Sequence, residues 1–308
     1  MNAITRRLWG CGATLMVAVA FNAEAVLSQP APSAPSPQDR INELARSFKN
    51  KPRLKKLSDK QRENVVNFIV GNMLFVMLHE LGHGAVAEFN IPITGREEDS
   101  ADNFAIVNLL RVGNAFSHRI LVESARGWFL SDRRDRDDKE PVEYYDEHSL
   151  DKQRAYQIVC VMVGSDPVAF KDLADETKLP EDRQKTCKRD YETAVAGWGA
   201  VLKPHLRGPE QLKTKIAVAY GDGKGKYDGY AEGFRSLRLL DVVADRLSEL
   251  FAWPVPFALE TQTCGFINAQ WVTETHKLTI CYELADDFAD LYSYNAELTP
   301  AKQKRKSK

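Results

Sequence analysis

The chain has little cysteine and no surplus of either charge, and each shortage excludes a class of protein. None of its 5 cysteines has the C-x-x-C spacing of a cysteine-based metal site. The 42 basic residues nearly balance the 43 acidic ones, so composition gives no reason to expect nucleic acid or an anionic membrane surface as a partner. The glycine-rich segment 221–229 lacks the phosphate-loop pattern and no strand is predicted before it, so we expect a flexible connection there.

The N-terminus has the three parts of a secretory signal peptide. Arg6 and Arg7 form the basic region, Leu8–Phe21 the apolar core and Ala23-Glu24-Ala25 the cleavage site. The apolar run is too short to span a membrane comfortably, and a retained N-terminal anchor is the alternative. We therefore expect residues 1–25 to be removed, which leaves a periplasmic or secreted chain without a stable membrane span.

The rest of the chain is predicted to form one ordered domain between two segments that build no core. Residues 26–54 are rich in proline, alanine and serine and are assigned to a linker. Residues 296–308 are assigned to a basic, disordered tail. The domain itself is predicted to cover residues 55–295.

Periodicity and capping residues place three helices in the first half of this domain. They are predicted from Ser58 to about Asn90, from Glu98 to about Val112 and from Asn114 to Leu130. The charged segment 131–147, in which both signs are mixed, is predicted to be a solvated loop. Two or three further helices are predicted between residues 190 and 251.

A candidate metal-binding motif lies in the first of these helices, at His79-Glu80-Leu81-Gly82-His83. Two histidines four residues apart lie on one face of a helix, so both can bind the same metal ion. Glu80 is placed to take a proton from metal-bound water, as in the H-E-x-x-H arrangement of zinc peptidases. The residues before the motif are nearly all apolar, and a metal ion offsets the cost of burying polar groups in such a helix. The alternative is a chance motif whose histidines are merely hydrogen-bonded.

A second acidic motif supplies the third ligand that such a site needs. Glu98 and Asp102 share one face of the next predicted helix, and a glutamate is the third ligand of zinc sites that have two histidines. Asp102 is placed to accept a hydrogen bond from a ligating histidine and so to orient it. Glu98 is favoured over Glu97 because only Glu98 has an aspartate four residues later. The alternative is the ordinary acidic first turn of a helix.

Together, His79-Glu80-x-x-His83 and Glu98-x-x-x-Asp102 resemble the motifs of the gluzincins, the thermolysin-like zinc peptidases, although the spacing between them is shorter than in thermolysin. The segment that continues to Phe104-Ala105 looks like that of bacterial zinc peptidases that cleave phage-type repressors. Most of the chain also resembles a family of secreted bacterial metallopeptidases without an established function. The resemblance implies a zincin-like fold and Zn²⁺ held by His79, His83 and Glu98. It further implies peptide-bond hydrolysis with Glu80 as general base.

Peptide hydrolysis on zinc also needs a donor for the developing oxyanion. His148 is the best candidate by residue type, and either Asp146 or Asp151 can orient it. The next candidates are Arg154 and Tyr156. The alternative is that Ser149 caps a helix and His148 is simply exposed before it.

Cysteine spacing predicts two local disulfides. With Cys11 in the signal peptide, an even number of cysteines remains in an exported chain. Three pairings are possible, and we expect Cys160–Cys187 and Cys264–Cys281.

Two short strands joined by Thr273–His276 predict a hairpin near the end of the chain. Its segment Asn268-Ala269-Gln270-Trp271 is similar to the edge strand with which thermolysin-like enzymes hold the substrate backbone. In those enzymes the strand precedes the zinc helix, whereas here it follows. We expect Asn268 and Ala269 to face a peptide or protein substrate, and the alternative is a structural hairpin tied by its disulfide.

These features together predict a helix-rich α+β fold, namely a zincin-like domain with a small sheet beside the metal-binding helix. The expected function is that of a zinc-dependent metalloendopeptidase in the cell envelope or outside the cell. The alternative is a catalytically silent zinc-binding envelope protein that binds peptides or partner proteins. The presence of Glu80 argues against that alternative.

Overall fold

The computed structural model describes residues 36–47 and 57–298, so the predicted signal peptide, part of the predicted linker and most of the predicted tail lie outside the described residues. The helices are α1 (Pro37–Ser47), α2 (Asp59–Glu88), α3 (Glu97–Val112), α4 (Ala115–Asp138), α5 (Asp151–Ser165), α6 (Lys171–Glu176), α7 (Glu181–Leu202), α8 (Asp228–Leu237), α9 (Leu239–Leu250) and α10 (Tyr282–Leu298). The strands are β1 (Ile216–Tyr220), β2 (Phe257–Gln262), β3 (Ala269–Val272) and β4 (Lys277–Cys281). The described chain is therefore a helix-rich α+β fold with one small sheet, as the sequence predicts.

Helix α2 lies at the centre of the core. It begins with the predicted capping box, in which the Ser58 hydroxyl accepts a hydrogen bond from the Gln61 backbone and the Gln61 side chain accepts one from the Ser58 backbone. Helices α1, α3, α4 and α10 pack around it. Although α2 is long and apolar enough to cross a membrane, 83% of its most apolar stretch is buried within the fold. In this domain it is the central core helix.

Helices α3 and α4 both pack closely against α2. A Cβ atom at Gly82 would lie only 2.9 Å from the Cα atom of Ala101 on α3, so the two backbones approach more closely than a larger residue allows. On α4, the Glu123 carbonyl accepts a 3.0 Å hydrogen bond from the buried Asn72 amide of α2. These contacts place the first turn of α3 beside the second half of α2, where the histidine motif lies.

The strands form one mixed sheet in the order β1-β2-β4-β3. β2 pairs in parallel with both β1 and β4, whereas β3 runs antiparallel to β4 with Ala269 opposite Ile280. β3 is thus an edge strand. The edge of β3 that does not pair with β4 faces α2, as shown by the 3.0 Å hydrogen bond that the backbone N–H of Trp271 donates to Glu80. Backbone groups alternate in direction along a strand, so Ala269 shares the outward orientation of Trp271.

Half of this sheet is missing from the sequence-based prediction. β1 directly precedes the glycine-rich segment 221–229, where no strand was expected, and β2 was not predicted either. Both are short strands of five and six residues. Each pairs in parallel with a segment far away in the chain, so no hairpin turn marks it in the sequence.

Helix α1 corrects the predicted linker. Its residues fall within the segment 26–54 that proline content assigned to a linker, yet Ile41, Leu44 and Ala45 are buried against α2 and α8. Their spacing of three and four residues is that of an apolar helix face. The domain therefore begins before residue 55.

Helix α4 corrects the predicted loop 131–147. The helix continues to Asp138 through most of the charged segment. Ion pairs with i,i+4 spacing, Asp132–Arg136 at 2.8 Å and Arg133–Asp137 at 3.8 Å, support its exposed end. The mixed charge is therefore the polar face of a helix rather than the composition of a loop.

The structure contains the two predicted disulfides, Cys160–Cys187 and Cys264–Cys281. The first joins α5 to α7. The second joins the segment that follows β2 to the end of β4, and so fixes the chain just before the edge strand β3.

Candidate metal centre

Three side chains from α2 and α3 meet at one point, and they are the three predicted ligands. His79 Nε2 lies 3.0 Å from Glu98 Oε2, and His83 Nε2 lies 3.4 Å from the same oxygen. The two ring nitrogens are 3.2 Å apart. The four-residue spacing places both imidazoles on one face of α2, and the close packing of α3 brings Glu98 to them.

A second carboxylate from α3 orients each histidine. The Nδ1–H of His79 donates to Asp102 at 2.8 Å, which is the contact predicted for Asp102. The Nδ1–H of His83 donates to Glu97, also at 2.8 Å. Glu97, weighed in the sequence only as another ligand candidate, is therefore the partner of His83. Both Nε2 atoms are left facing Glu98.

Arg154 of α5 holds Asp102 in turn. Its Nε and Nη2 donate to the two carboxylate oxygens of Asp102 at 2.8 and 2.7 Å, and its guanidinium lies 3.8 Å over the ring of Trp128. Burial opposes the charge of Asp102, but Arg154 outweighs it and lowers the pKa to about 2. Arg154 is thus committed to Asp102, and Tyr156 donates to the Thr177 carbonyl. Neither of these two runners-up occupies the position expected of an oxyanion donor.

The donor set of this centre fits a zinc ion. Because the Nδ1–H groups of His79 and His83 are bonded to carboxylates, the imidazoles in their neutral form present Nε2 lone pairs toward Glu98, which is itself an acceptor. Three acceptors at such short range need a cation or protons between them. Ligand atoms at about 2.0–2.2 Å from a tetrahedral zinc ion stand roughly 3.3–3.6 Å apart. The observed separations of 3.0, 3.2 and 3.4 Å are within a few tenths of an ångström of that range.

The carboxylates around the centre raise the pKa of both candidate histidine ligands. Burial opposes the charged form of His83, yet hydrogen bonds to Glu98 and Glu97 outweigh it and raise its pKa to about 9. The pKa of His79 is also raised, because Asp102 and Glu98 outweigh burial. Burial opposes the charge of Glu98, yet hydrogen bonds from the surrounding histidines hold its pKa far below the ordinary value. The centre therefore favours positive charge, and a metal ion would displace protons from it.

Glu80 faces the same centre from beside the first histidine. Its carboxylate accepts the Trp271 backbone N–H of β3 at 3.0 Å. Burial raises the pKa of Glu80, although the charges of His79 and His83 oppose the shift. A carboxylate with a raised pKa is better matched to accepting and releasing a proton near neutral pH.

His148 reaches the centre from the segment between α4 and α5. Its Nε2–H donates to Glu98 at 3.0 Å, and its Nδ1–H donates to Asp146 at 3.0 Å. Of the two aspartates considered for orienting it, Asp146 makes the contact, while Asp151 begins α5. The hydrogen bond to Glu98 raises the pKa of His148, against the effect of burial. The structure thus brings His148 together with the three candidate ligands.

A cleft of about 340 Å³ opens beside the centre. Its walls come from α2, α4, α10 and β3, and they include Val76, His79, Glu80, Asn268, Ala269 and Phe288. Asn268 and Ala269 therefore lie in the same cleft as the histidine motif. A second groove, of about 700 Å³, adjoins it at Trp128, His148 and Arg154. Of the three candidate ligands, His79 lines the first cleft, and His148, which bonds to Glu98, lines both depressions.

The role of Arg154 as the partner of Asp102 is not predicted above, although the sequence contains an indication of it. Arg154 precedes the apolar run Ala155–Val163 on α5 and is itself buried. A buried arginine needs a carboxylate partner, so Asp102 could have been considered as that partner. No sequence pattern indicates that Trp128 lies under the guanidinium.

Comparison with family models gives one finding that bears on this centre. The model of the family described as "Putative metallopeptidase" matches residues 37–202 and 223–307, which is more than half of the chain. The chain belongs to this family. In this metallopeptidase family member, the segments that match the family model begin with α1 and contain the whole candidate metal centre. The unmatched residues 203–222 include β1. Comparison with curated proteins and with solved structures gives no match.

Proposed function

We propose that this metallopeptidase family member is a zinc-dependent endopeptidase with a zincin-like fold, acting on peptides or proteins. The convergence of two imidazole nitrogens and one carboxylate oxygen, all within 4.8 Å of one another, carries the proposal. This donor set is the His₂Glu set of catalytic zinc sites, which hold the ion with three protein ligands and keep a fourth position for water or substrate.

Each residue around the centre has a separate role in the proposed reaction. Zinc held by His79, His83 and Glu98 would supply a Lewis acid that polarises the carbonyl and makes water acidic near neutral pH. Glu80, buried and fixed by the Trp271 backbone, accepts the proton of the attacking water and delivers it to the leaving amine. The Nε2–H of His148, which donates to Glu98 in the structure, would donate instead to the oxyanion that develops at the substrate carbonyl.

The edge strand β3 is proposed to hold the substrate backbone. Its hydrogen bonds to β4 use one edge only, as in the bond from the Cys281 N–H to the Asn268 carbonyl. The N–H and C=O of Ala269 point the other way, into the cleft that Ala269 lines. An extended peptide can pair with these groups by strand addition, with Asn268 beside it.

The proposed location is the periplasm or the exterior of the cell. Two disulfides in the described chain support an oxidising compartment. The predicted signal peptide, which lies outside the described residues, points the same way.

A peptide-library digest with a set of matched samples tests the proposal. The wild type should cleave and contain about one zinc ion per chain, and chelation should abolish cleavage. Glu80→Gln should keep the zinc and lose roughly 10²–10⁴-fold in kcat, because only the general base is removed. Glu63→Gln, in the first turns of the same helix, where Glu63 is half-buried and pairs with Lys60, serves as the control and should cleave as the wild type does.

Two outcomes would contradict the proposal. Cleavage that survives in Glu80→Gln would show that another group is the base. Zinc binding by a wild type that cleaves no peptide would instead support the silent zinc-binding alternative.

A further inference from the structure

We infer that Asp99 and Ser149 form a latch that positions His148 for its role in the proposed reaction. The inference rests on the proposed function, because it assigns to both residues an effect that acts through His148. Neither is a catalytic residue. Their part is to hold a catalytic side chain that comes from an exposed segment.

Apolar packing does not fix the segment 139–150 that carries His148. Residues 139–148 are all exposed. Even its large apolar side chains are outside the core, since Val142, Tyr144 and Tyr145 are 51%, 77% and 84% exposed. A segment without buried apolar contacts takes a fixed position only through its hydrogen bonds.

Besides the contact of His148 with Glu98, two hydrogen bonds tie this segment to the start of α3. The Ser149 hydroxyl donates to Asp99 Oδ1 at 2.7 Å, and the Arg96 guanidinium donates to the His148 carbonyl at 3.2 Å. Because the acceptor of the first bond is a carboxylate, it is the stronger, charge-assisted kind. Within the segment, the His148 N–H donates to Asp146 at 2.7 Å, which shapes the local turn.

The position of the latch on α3 explains why it controls His148. Asp99 directly follows Glu98, the carboxylate whose Oε2 lies 3.0 Å from His148 Nε2. Ser149 directly follows His148. The latch therefore fixes one end of this exposed segment to the same helical turn that presents Glu98, so that Glu98 and His148 keep their separation.

Removal of the Ser149 hydroxyl tests the latch. Ser149→Ala should lower kcat by about tenfold, the effect of losing one hydrogen bond to a charged group, with little change in KM or in zinc content. Ser149→Thr keeps the hydroxyl and should recover most of the activity. Ser100→Ala removes a hydroxyl from the same turn of α3, where it bonds only to the Arg96 carbonyl. As the matched control, it should leave kcat unchanged.

The same substitution made in a variant that lacks the His148 side chain shows whether Ser149 affects kcat through His148. In His148→Ala, adding Ser149→Ala should lower kcat no further. In the zinc-free protein, Ser149→Ala should speed hydrogen exchange of the amides of residues 146–150 by about tenfold. Ser100→Ala should not change that exchange.

The outcomes separate this inference from the proposed function. An equal loss in the His148→Ala background, a fully active His148→Ala, or unchanged exchange and kcat in Ser149→Ala would overturn the latch. If the wild type cleaves nothing, the proposed function fails. Hydrogen exchange would then still decide whether Asp99 and Ser149 hold His148 in place.

Discussion

At the scale of single residues, each imidazole of the centre has its own carboxylate. His79 is paired with Asp102, His83 with Glu97 and His148 with Asp146. Each carboxylate accepts a hydrogen bond from the Nδ1–H, which leaves the Nε2 atom directed at Glu98. The orientation of the rings is therefore determined by acidic residues around them before any metal ion is bound.

The raised pKa of His83 predicts how the metal-free protein responds to pH. Its folded-state pKa of about 9 lies above the ordinary value of 6.5. Its charge therefore stabilises the fold fully below pH 6.5, and this contribution is lost as pH rises through about 9. Zinc binding is favoured in the opposite direction, because it requires unprotonated imidazoles. We expect the melting temperature of the zinc-loaded protein to exceed that of the chelated protein by an amount that grows between these pH values.

Scanning calorimetry of both forms at several pH values measures this difference. In His83→Asn, the melting temperature of the chelated protein should fall less steeply over the same range. A zinc effect that shrinks as pH rises would show that the charge on His83 does not stabilise the metal-free fold.

At the scale of elements, the centre depends on how closely α3 and β3 approach α2. Gly82 allows the contact with Ala101 on α3, and Gly84 allows the contact with Trp271 on β3. These two glycines lie on either side of His83 in the sequence. The segment around His83 thus provides metal ligands and also the two glycines that allow α3 and β3 to pack against α2.

Gly84→Ala is expected to disturb the β3 contact. A Cβ at this position would lie 2.9 Å from two atoms of the Trp271 indole. Overpacking costs about 1–3 kcal/mol, which outweighs the roughly 1 kcal/mol that alanine gains over glycine in a helix. We expect a lower free energy of unfolding in urea. We also expect slower peptide cleavage with zinc retained, because β3 moves relative to Glu80.

Gly197→Ala on α7 is the matched control. No atom lies within 4 Å of a Cβ at that position, so this variant should gain up to about 1 kcal/mol of stability. If the two alanine variants are equally stable, the close packing of Trp271 on α2 does not constrain the site.

Features that depend on residues close together in the sequence could be predicted, whereas contacts between distant segments could not. His79, His83 and Asp102 were assigned correctly to their helix faces because four-residue spacing on a helix is a local property. β1 and β2 were missed because parallel pairing depends on distant segments. Likewise, the bond between Ser149 and Asp99 joins residues 50 positions apart, and no spacing rule indicates it.

At the scale of the whole molecule, the two disulfides stabilise different sides of the candidate site. Cys160–Cys187 joins two helices of the bundle, and α5 also carries Arg154. Cys264–Cys281 fixes the chain that leads into β3. Beside it, the Glu283 carboxylate accepts hydrogen bonds from the backbone of Cys264 and Gly265 at 3.2 and 2.8 Å.

Replacement of each disulfide by two serines should therefore separate stability from activity. The bridged residues are 27 and 17 positions apart, and loops of this size predict a loss of about 3 kcal/mol in each case. Urea unfolding should give similar losses for the two double variants. At temperatures where both remain folded, only Cys264→Ser with Cys281→Ser should cleave peptides more slowly, because the segment before β3 then loses its covalent tie to β4 and is held by hydrogen bonds such as those to Glu283. Equal activity per folded molecule in the two variants would show that the second disulfide stabilises the fold without shaping the cleft wall.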